Sequence, residues 1–233
     1  MWLHDRVIGV VGASGGLGAP ISRQLVERGA RVVAAGRDEQ RLHDLGLDGP
    51  TVSLDLRDSH AGNTLVQAAL DAYGRLDGVV NAAGIVAFGD LAVTDDVVIE
   101  ELFLTNVLGP LWLMRCCLPQ LVANQGVVAN LSAVVAEQPL PGMAAYAASK
   151  AALTAADVAL ARELRRKGVR VLDVRPPHTE TGLATRALAG EPPRLPEGLD
   201  PELVASVIVD AMDAERTDPT GKATELPSSA FDA

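Results

Sequence analysis

The sequence predicts a doubly wound α/β fold with about seven mostly parallel strands and helices on both faces of the sheet. Short runs rich in Val, Ala and Leu alternate with longer segments of helical character. Several of these runs are almost wholly apolar, as expected of strands that are buried on both faces of a parallel sheet. A glycine-rich turn joins the first run to the first helical segment, which is the order that a βαβ unit requires.

The elements follow one another in a regular order. We expect strands at residues 7–11, 31–35, 51–54, 78–81, 127–131 and 169–174, and a short last strand near 223–226. We expect helices at residues 17–28, 39–45, 59–73, 95–122, 144–167 and 201–213. Asp200 is a suitable N-cap for the last helix, because Pro201 then falls in its first turn. We expect the tail, residues 227–233, to be frayed.

Length and composition exclude several classes of protein. A chain of 233 residues that is 48% hydrophobic and 21% charged has the composition of a folded domain. We therefore expect a single domain over residues 1–233. The formal net charge of -10 argues against nucleic acid and anionic membranes as partners. No continuous apolar run reaches about 18 residues, so we expect a soluble, cytoplasmic protein.

The cysteines and histidines form no metal-binding pattern. Cys116 and Cys117 are the only two cysteines, and they are adjacent in a helical segment. The four histidines are scattered along the chain without the spacing of metal ligands. We expect buried, apolar thiols and no metal site.

The segment at residues 177–200 differs from the rest of the chain because it is rich in proline and glycine. Such a segment can be a solvated linker or a mobile lid over a site. We expect a substrate lid, because long loops in compact domains commonly carry function.

The glycine-rich turn has the position of a dinucleotide-binding site. It reads Val11-Gly12-Ala13-Ser14-Gly15-Gly16-Leu17-Gly18, directly between a predicted strand and a predicted helix. Glycines allow a tight turn and let backbone N–H groups approach a pyrophosphate at the helix N-terminus. The spacing fits both Gly-x-x-x-Gly-x-Gly and Gly-x-x-Gly-x-x-Gly, without the Lys-Ser/Thr ending of a P-loop. The alternative is a structural turn that binds no ligand.

The end of the second predicted strand favours NADP(H) over NAD(H). A carboxylate about 20 residues beyond the glycine turn would bind the ribose 2′-hydroxyl of NAD. Gly36 occupies that position and Arg37 follows it, and a guanidinium can clamp a 2′-phosphate. The alternative is that Arg37 is a solvated surface residue and that the cofactor is NAD(H).

Tyr146 and Lys150 lie four residues apart in an Ala-rich helical segment, so their side chains share one helix face. Free Tyr has a pKa of about 10, and proton exchange near neutral pH requires that pKa to fall. A nearby ammonium, together with a positive nicotinamide ring, can stabilise the phenolate. The pair predicts a general acid/base, although the same spacing also occurs on ordinary helix surfaces.

Taken together, the motifs resemble those of the short-chain dehydrogenase/reductase family of the single-domain type, over about residues 3–185. The resemblance implies a Rossmann-type fold and reversible hydride transfer between NADP(H) and a ketone or secondary alcohol. The motifs that carry it are the glycine turn, Asp55 after the third strand, Asn81-Ala82-Ala83-Gly84 after the fourth, Asn106, and Tyr146 with Lys150.

The resemblance also implies roles for individual residues. Tyr146 would be the general acid/base, Lys150 would lower its pKa and bind the nicotinamide ribose, and Asn106 would anchor a water behind Lys150. Asp55 and Leu56 would face the adenine. The remaining cofactor contacts would come from Gly12, Ser14, Gly15, Gly16, Leu17, Gly18, Asn81, Ala82, Ala83, Gly84, Pro176, Thr179 and Thr181.

The chain departs from the family pattern at the catalytic Ser. The family's Ser lies 13 residues before the Tyr, where this chain has Ala133, and Ser132 is one residue early. Loss of such a donor typically costs about 10²–10³ in rate. Because adjacent strand residues face opposite ways, Ser132 can replace it only if a bulge turns the hydroxyl inward. Gln138 and a substrate group are the other candidates.

The same departure supports an alternative function. The chain would then be a catalytically weakened dinucleotide-binding protein with a redox-sensing or scaffolding role. We favour the enzyme, because Tyr146, Lys150 and Asn106 are all present.

The expected substrate pocket is mostly apolar. We expect its walls at residues 134–143 and 85–91 and in the lid, so the partner would be an apolar carbonyl compound or alcohol. By resemblance, the two long helices at residues 95–122 and 144–167 pair across a two-fold axis and produce a homodimer or homotetramer.

Overall fold

A single parallel sheet organises the chain. A computed structural model describes residues 2–214 and 224–231. The seven strands run parallel in the order β3-β2-β1-β4-β5-β6-β7. They are β1 (Val7–Val11), β2 (Arg31–Gly36), β3 (Thr51–Ser53), β4 (Gly78–Asn81), β5 (Val127–Leu131), β6 (Arg170–Val174) and β7 (Thr224–Leu226). The predicted fold class is confirmed, and the sheet is parallel throughout.

Seven α-helices lie within the described ranges and pack around the sheet. They are α1 (Gly18–Glu27), α2 (Glu39–His43), α3 (Ala61–Tyr73), α4 (Asp96–Phe103), α5 (Gly109–Ala123), α6 (Ala144–Leu164) and α7 (Pro201–Asp213). As predicted, Asp200 caps α7, since its carboxylate accepts a hydrogen bond from the backbone N–H of Glu202. Residue 223, the first of the predicted last strand, lies outside the described residues.

The prediction of one continuous helix over residues 95–122 is wrong. A π-helical turn, Leu104–Leu108, separates α4 from α5. Pro110 has no N–H to donate to the carbonyl of Asn106, so the regular α-helical pattern cannot continue through this point. A π turn inside a long helix often marks a functional position, and Asn106 lies within this one.

Two hydrophobic cores lie on opposite faces of the sheet. One contains Ile21 and Leu25 of α1, residues of α7, and the aromatic ring of Phe231. The other joins α3, α5 and α6 to the opposite face. The prediction of a frayed tail is wrong for Ser228–Phe231, which forms a 3₁₀ turn with Phe231 only 2% exposed. Burial of a whole aromatic side chain holds this end of the chain. Residues 232–233 lie outside the described residues.

One run of the described helices, Asp96–Ala123, is long and apolar enough to cross a membrane, with a mean hydropathy of 1.5. A single run of this kind is weak evidence for a membrane span, because the core helix of a soluble protein passes the same test. Here the run is divided among α4, the π turn and α5, and 39% of its most apolar window is buried.

Candidate active site

The turn between β1 and α1 is built around glycines that leave no room for side chains. Gly12 has φ +81°, and a Cβ there would lie 2.7 Å from the backbone nitrogen of Ala83. A Cβ on Gly18 would collide with the carbonyl of Gly12. A Cβ on Gly16 would lie 2.6 Å from the carbonyl oxygen of Thr181. The turn therefore packs against the segment after β4 and against Thr181, which the sequence had placed in the same cofactor site.

An open cleft of about 370 Å³ lies beside the carboxyl ends of β2 and β3. Arg57 clamps the Asp55 carboxylate with an Nη2–Oδ2 distance of 2.6 Å. The hydrogen bonds from Arg57 lower the pKa of Asp55, with burial opposing them. The cleft is lined by Arg37, Ser53, Leu54, Asp55, Asp58, Ala61 and Thr64.

Leu56 is placed differently from the prediction. Its side chain is 5% exposed and belongs to the core cluster shared by α3 and α5. Its Cβ packs against Gly109, where a side chain would come within 3.0 Å of it. Leu56 therefore does not line the cleft beside Asp55, and only its backbone remains for a cofactor contact.

Arg41 is a site residue that the sequence reasoning missed. Its Nη2 donates to the carbonyl of Ser14 in the glycine turn at 2.7 Å. Asp38 caps α2 by accepting a hydrogen bond from the backbone N–H of Arg41. The available signal was the position of Arg41 in the first turn of the short helix that directly follows Arg37.

Tyr146 and Lys150 lie in the first two turns of α6, and both are buried, at 6% and 5% exposure. Lys150 Nζ donates to the carbonyl of Leu131 at 2.8 Å. Burial lowers the pKa of Lys150 to about 8 and raises the pKa of Tyr146. In the protein alone the phenol is therefore harder to ionise than in water, and the lowered pKa that acid/base chemistry requires has to come from additional positive charge.

Asn106 fixes the backbone around this centre. Its Nδ2 donates to the carbonyl of Ile85 at 2.9 Å, and its Oδ1 accepts from the Ile85 N–H at 3.0 Å. The same Nδ2 also reaches Ser149 Oγ, 3.1 Å away on α6. The side chain thus ties the π turn to the segment after β4 and to α6. Pro110 leaves the Asn106 carbonyl without its α-helical partner.

The Asn81-Ala82-Ala83-Gly84 motif follows β4 and borders the same space. A Cβ on Gly84 would lie 3.3 Å from both Asn106 Oδ1 and Lys150 Nζ, so the glycine keeps these two groups open to approach. Ala82, Ala83 and Gly84 are half-buried. Asn81 is fully buried and its side-chain amide has no hydrogen-bond partner within the described ranges. Its side chain lies inside the protein and does not line the groove.

Ser132 does not take the place of the missing catalytic Ser. Its Oγ donates to the carbonyl of Lys150 at 3.0 Å and accepts from Thr154 Oγ1 at 3.0 Å. The prediction that a bulge turns this hydroxyl into the site is wrong, because the hydroxyl is used inside the protein. Ala133 has extended backbone and begins a 3₁₀ turn. Gln138 is exposed at the end of that segment.

Three segments that the sequence assigned to the pocket walls do meet around Tyr146. They form an apolar cluster with Val86 and Phe88 from one segment and Val135 and Met143 from another. Val98 and Leu102 of α4 belong to the same cluster, and the sequence reasoning missed them. The segment at residues 177–200 contributes Leu183, Ala184, Ala187 and Ala189.

The segment at residues 177–200 is docked onto the residues that follow β4. Leu188 N–H donates to the carbonyl of Val86 at 2.8 Å, and Phe88 N–H donates to the carbonyl of Ala189 at 2.9 Å. These two bonds hold the segment over the Tyr146 cluster. Leu140, which the sequence placed in the pocket wall, is 45% exposed.

The start of this segment is fixed by its own backbone. The carbonyl of Pro176 accepts from the Val134 N–H at 3.0 Å. Thr179 forms a β-bridge with Leu199, and its hydroxyl donates to the carbonyl of Pro177. Thr181 is thereby held against the glycine turn.

These residues fit a nicotinamide dinucleotide. The glycine turn, where a Cβ would strike backbone, presents N–H groups at the start of α1. Arg37 and Arg41 lie at one end of the groove, and Gly84 with Lys150 lies at the other. One end of the groove therefore suits phosphates, and the other end places hydrogen-bonding groups next to the buried phenol of Tyr146.

Comparison with known proteins identifies the family that the motifs resemble. A profile described as "short chain dehydrogenase" matches residues 6–192. The chain is 30% identical to an ipsdienol dehydrogenase from Ips pini over 203 residues, which cover 80% of this chain and 79% of that protein.

Solved structures extend the likeness to the fold. A short-chain dehydrogenase from Burkholderia cenocepacia J2315 in complex with NADP is 27% identical, with a TM-score of 0.83 over 97% of this chain and 89% of that one. A 3-ketoacyl-(acyl-carrier-protein) reductase from Brucella melitensis complexed with NADH shares the fold at 24% identity, with a TM-score of 0.86 over 97% and 98%. The profile match, the relative and the site geometry agree, and the chain belongs to the short-chain dehydrogenase/reductase family of oxidoreductases.

Proposed function

We propose that the protein transfers hydride reversibly between NADP(H) and a ketone or secondary alcohol, with Tyr146 as general acid/base. One observation carries the proposal. Tyr146 and Lys150 lie buried on successive turns of α6, at the carboxyl edge of the sheet, where Gly84 keeps Lys150 Nζ open to approach.

The nicotinamide, when bound, supplies or accepts the hydride. Tyr146 would exchange a proton with the substrate oxygen, for which its pKa has to fall from the raised value that burial gives it. Lys150 has three N–H donors, of which one is used by the carbonyl of Leu131. Two donors remain for ribose hydroxyls, and the ammonium charge favours the phenolate.

Asn106 would complete the path for the proton. Both N–H groups of its side-chain amide are used by Ile85 and Ser149, and its Oδ1 accepts one bond from Ile85, so we assign the water to its backbone carbonyl. Pro110 leaves that carbonyl without an α-helical partner. The proposal is therefore that the carbonyl, and not the amide, of Asn106 anchors the relay behind Lys150.

The preference for NADP(H) rests on charge at the end of the cleft. Gly36 offers no carboxylate to a ribose 2′-hydroxyl, while Arg37 and Arg41 place two guanidinium groups near the glycine turn. Two carboxylates also line the cleft: Asp55 is paired with Arg57, and Asp58 is exposed to solvent. Arg37 and Arg41 would supply the guanidinium groups that bind a 2′-phosphate.

The substrate would be an apolar carbonyl compound or alcohol, because the side chains packed around Tyr146 are almost all hydrocarbon. Since Tyr146 is only 6% exposed, the segment at residues 177–200 would act as a lid that opens to admit it. Opening requires the two backbone hydrogen bonds between residues 86–88 and 188–189 to break.

We also propose a homodimer or homotetramer. Val97, Leu108 and Leu111 on α4, the π turn and α5 are 59%, 41% and 36% exposed. Exposed alanines Ala148, Ala151 and Ala155 lie on α6 and allow another helix to approach closely. Light scattering over a range of protein concentrations tests this, and a monomer at every concentration would refute it.

The second candidate function is a dinucleotide-binding protein with weak chemistry, in a redox-sensing or scaffolding role. It is favoured by Ala133, because the hydroxyl of the adjacent Ser132 is used by Lys150 and Thr154. A substrate oxygen would then be polarised by Tyr146 alone.

The test measures NADPH and NADH binding, and then NADPH consumption over a panel of ketones and aldehydes. Wild type is compared with Ala133→Ser. Turnover by wild type supports the enzyme. A silent wild type whose Ala133→Ser variant gains at least tenfold, out of the roughly 10²–10³ that such a donor can supply, supports the second function. Absence of binding to either dinucleotide overturns both.

A further inference from the structure

A chain of hydrogen bonds runs beneath the catalytic turns of α6, from β6 to the backbone of Lys150. Ser132 Oγ donates to the Lys150 carbonyl at 3.0 Å. Thr154 Oγ1 lies 3.0 Å from Ser132 Oγ and 3.1 Å from Asp173 Oδ1. Ser132 is 4% exposed and Asp173 is 0% exposed. The chain therefore connects three elements at a point where water has little access.

Lys150 is held at both of its ends by residues at the end of β5. Its carbonyl accepts from the hydroxyl of Ser132, and its ammonium donates to the carbonyl of Leu131. These two contacts fix where the lysine leaves the helix and where its charge ends. A shift of the Ser132 hydroxyl would change the first contact, which is made at the backbone from which the lysine side chain leaves.

The hydrogens along the chain can be counted. Three contacts link Asp173, Thr154, Ser132 and the Lys150 carbonyl, and each needs one hydrogen. The two hydroxyls supply two. When Asp173 is ionised, Thr154 donates to its Oδ1 and no hydrogen remains for the contact between the two hydroxyls. When Asp173 Oδ1 carries a proton and donates to Thr154, all three contacts are hydrogen bonds that point toward Lys150.

The surroundings of Asp173 allow that proton. Arg175 donates through Nε and Nη2 to Oδ2, at 2.8 and 2.7 Å, which leaves Oδ1 for Thr154. Arg175 is shared with Glu137 at 2.7 Å and with Glu225 at 3.4 Å, so its charge is divided among three carboxylates. Burial raises the pKa of Asp173, with Arg175 opposing the rise.

We propose that Asp173 and Thr154 are positioning residues for Lys150 and that they act through the hydroxyl of Ser132. The inference rests on the proposed function of Lys150. It also gives Ser132, which does not face the substrate, a role in the same site. The relevant form of Asp173 is the carboxylic acid, which an amide can imitate.

The test uses pairs of variants of the full-length protein. Thr154→Ser keeps a hydroxyl and Thr154→Val removes it at similar volume. Asp173→Asn keeps a donor toward Thr154 and an acceptor toward Arg175, while Asp173→Leu keeps neither. The matched control is Asp77→Asn, because Asp77 is also 0% exposed and paired with arginines, Arg6 and Arg75, but lies at the amino end of β4.

Lysine NMR gives a readout that does not depend on substrate or cofactor. The chain has only three lysines, Lys150, Lys167 and Lys222, so ¹³Cε labelling yields three assignable signals. The titration midpoint and chemical shift of Lys150 report its position and surroundings. NADPH affinity and the thermal midpoint are measured on the same samples.

We expect Thr154→Val and Asp173→Leu to shift the Lys150 signal and to weaken NADPH binding about three- to tenfold, as for the loss of one hydrogen bond. Thr154→Ser and Asp173→Asn should keep both properties of wild type. Asp77→Asn should lower the thermal midpoint without moving the Lys150 signal.

Two results would overturn the inference. One is an unchanged Lys150 signal in Thr154→Val, with or without a fall in thermal midpoint. The other is an Asp173→Asn variant whose Lys150 signal shifts as much as that of Asp173→Leu. A wild type that binds neither NADPH nor NADH defeats the proposed function instead, while the NMR result still decides the positioning role.

Discussion

The two halves of the sheet build their parts of the site in opposite ways. In the half from β1 to β4, the site exists because side chains are missing: Gly12, Gly18 and Gly84 leave backbone and space. In the half from β5 to β7, it consists of buried polar side chains such as Lys150 and Asp173. The first half can bind phosphates without tuning any pKa, whereas the second has to control protons inside a hydrocarbon environment.

The largest expected effect tests the second half. Tyr146→Phe removes the hydroxyl that would exchange a proton, so kcat should fall by about 10²–10⁴. NADPH affinity should stay within a factor of about two, since the ring and its packing are retained. Steady-state kinetics and fluorescence titration measure the two quantities. The control is Tyr73→Phe, which changes the only other tyrosine and should leave kcat at the wild-type value.

If Tyr146→Phe retained wild-type kcat, the proton would be handled by another group. The distinction between the two halves would then lose its chemical basis.

The next prediction tests the glycine half. Gly12→Ala places a Cβ at φ +81°, 2.7 Å from the Ala83 nitrogen. The backbone strain should cost about 1–2 kcal/mol, and the displaced β4 segment about 1–3 kcal/mol more. NADPH binding should weaken as well. Urea unfolding and fluorescence titration measure the two losses.

Gly46→Ala is the matched control, because Gly46 has φ +65° with nothing within 4 Å of a Cβ. It should show the strain cost alone and normal NADPH binding. Equal losses of stability and NADPH affinity in the two variants would mean that the close backbone packing at Gly12 is not what the turn requires.

A smaller effect is expected at the charged end of the cleft. Arg37→Ser should weaken NADPH binding by about 10- to 100-fold, the range of one to two charge-assisted hydrogen bonds, and leave NADH binding unchanged. Arg31→Ser is the control, since Arg31 is exposed at the other end of the same strand. A parallel loss of NADPH and NADH affinity in Arg37→Ser would contradict recognition of a 2′-phosphate.

The last prediction concerns a buried acid of the second half and is read from stability, not from binding. Burial raises the pKa of Asp157 from its ordinary value of about 4 to about 8. Between these values the folded protein binds a proton that the unfolded chain does not, so stability should fall as pH rises from about 5 to 8. Asp157→Asn should flatten this part of the curve of thermal midpoint against pH.

The amide of Asp157→Asn also fits the hydrogen-bonding groups of Asn130. Asp157 Oδ1 accepts from Asn130 Nδ2, while Asp157 Oδ2 and Asn130 Oδ1 have no partner within the described ranges. An amide at position 157 could donate to Asn130 Oδ1. Parallel curves for wild type and Asp157→Asn would show that Asp157 does not carry the extra proton.

Part of the fold and of the site could be predicted from the sequence, and part could not. The strands, the glycine turn and the Tyr–Lys pair were predictable, because buried parallel strands are apolar and helix spacing fixes which side chains share a face. The break at Leu104–Leu108 was not predicted, although Pro110 offered a signal. Phe231 was not expected in the core, because a short tail has no periodicity that reports long-range packing.

The sequence by itself determined the sheet, the cofactor turn and the absence of a hydroxyl at Ala133, since these depend on local composition and spacing. Only the tertiary structure decided that Ser132 faces Lys150 and Thr154, that Arg41 reaches Ser14, and that Asp173 lies beneath α6. These contacts join residues far apart in the chain. Their geometry depends on how helices pack on the sheet, and no local pattern encodes it.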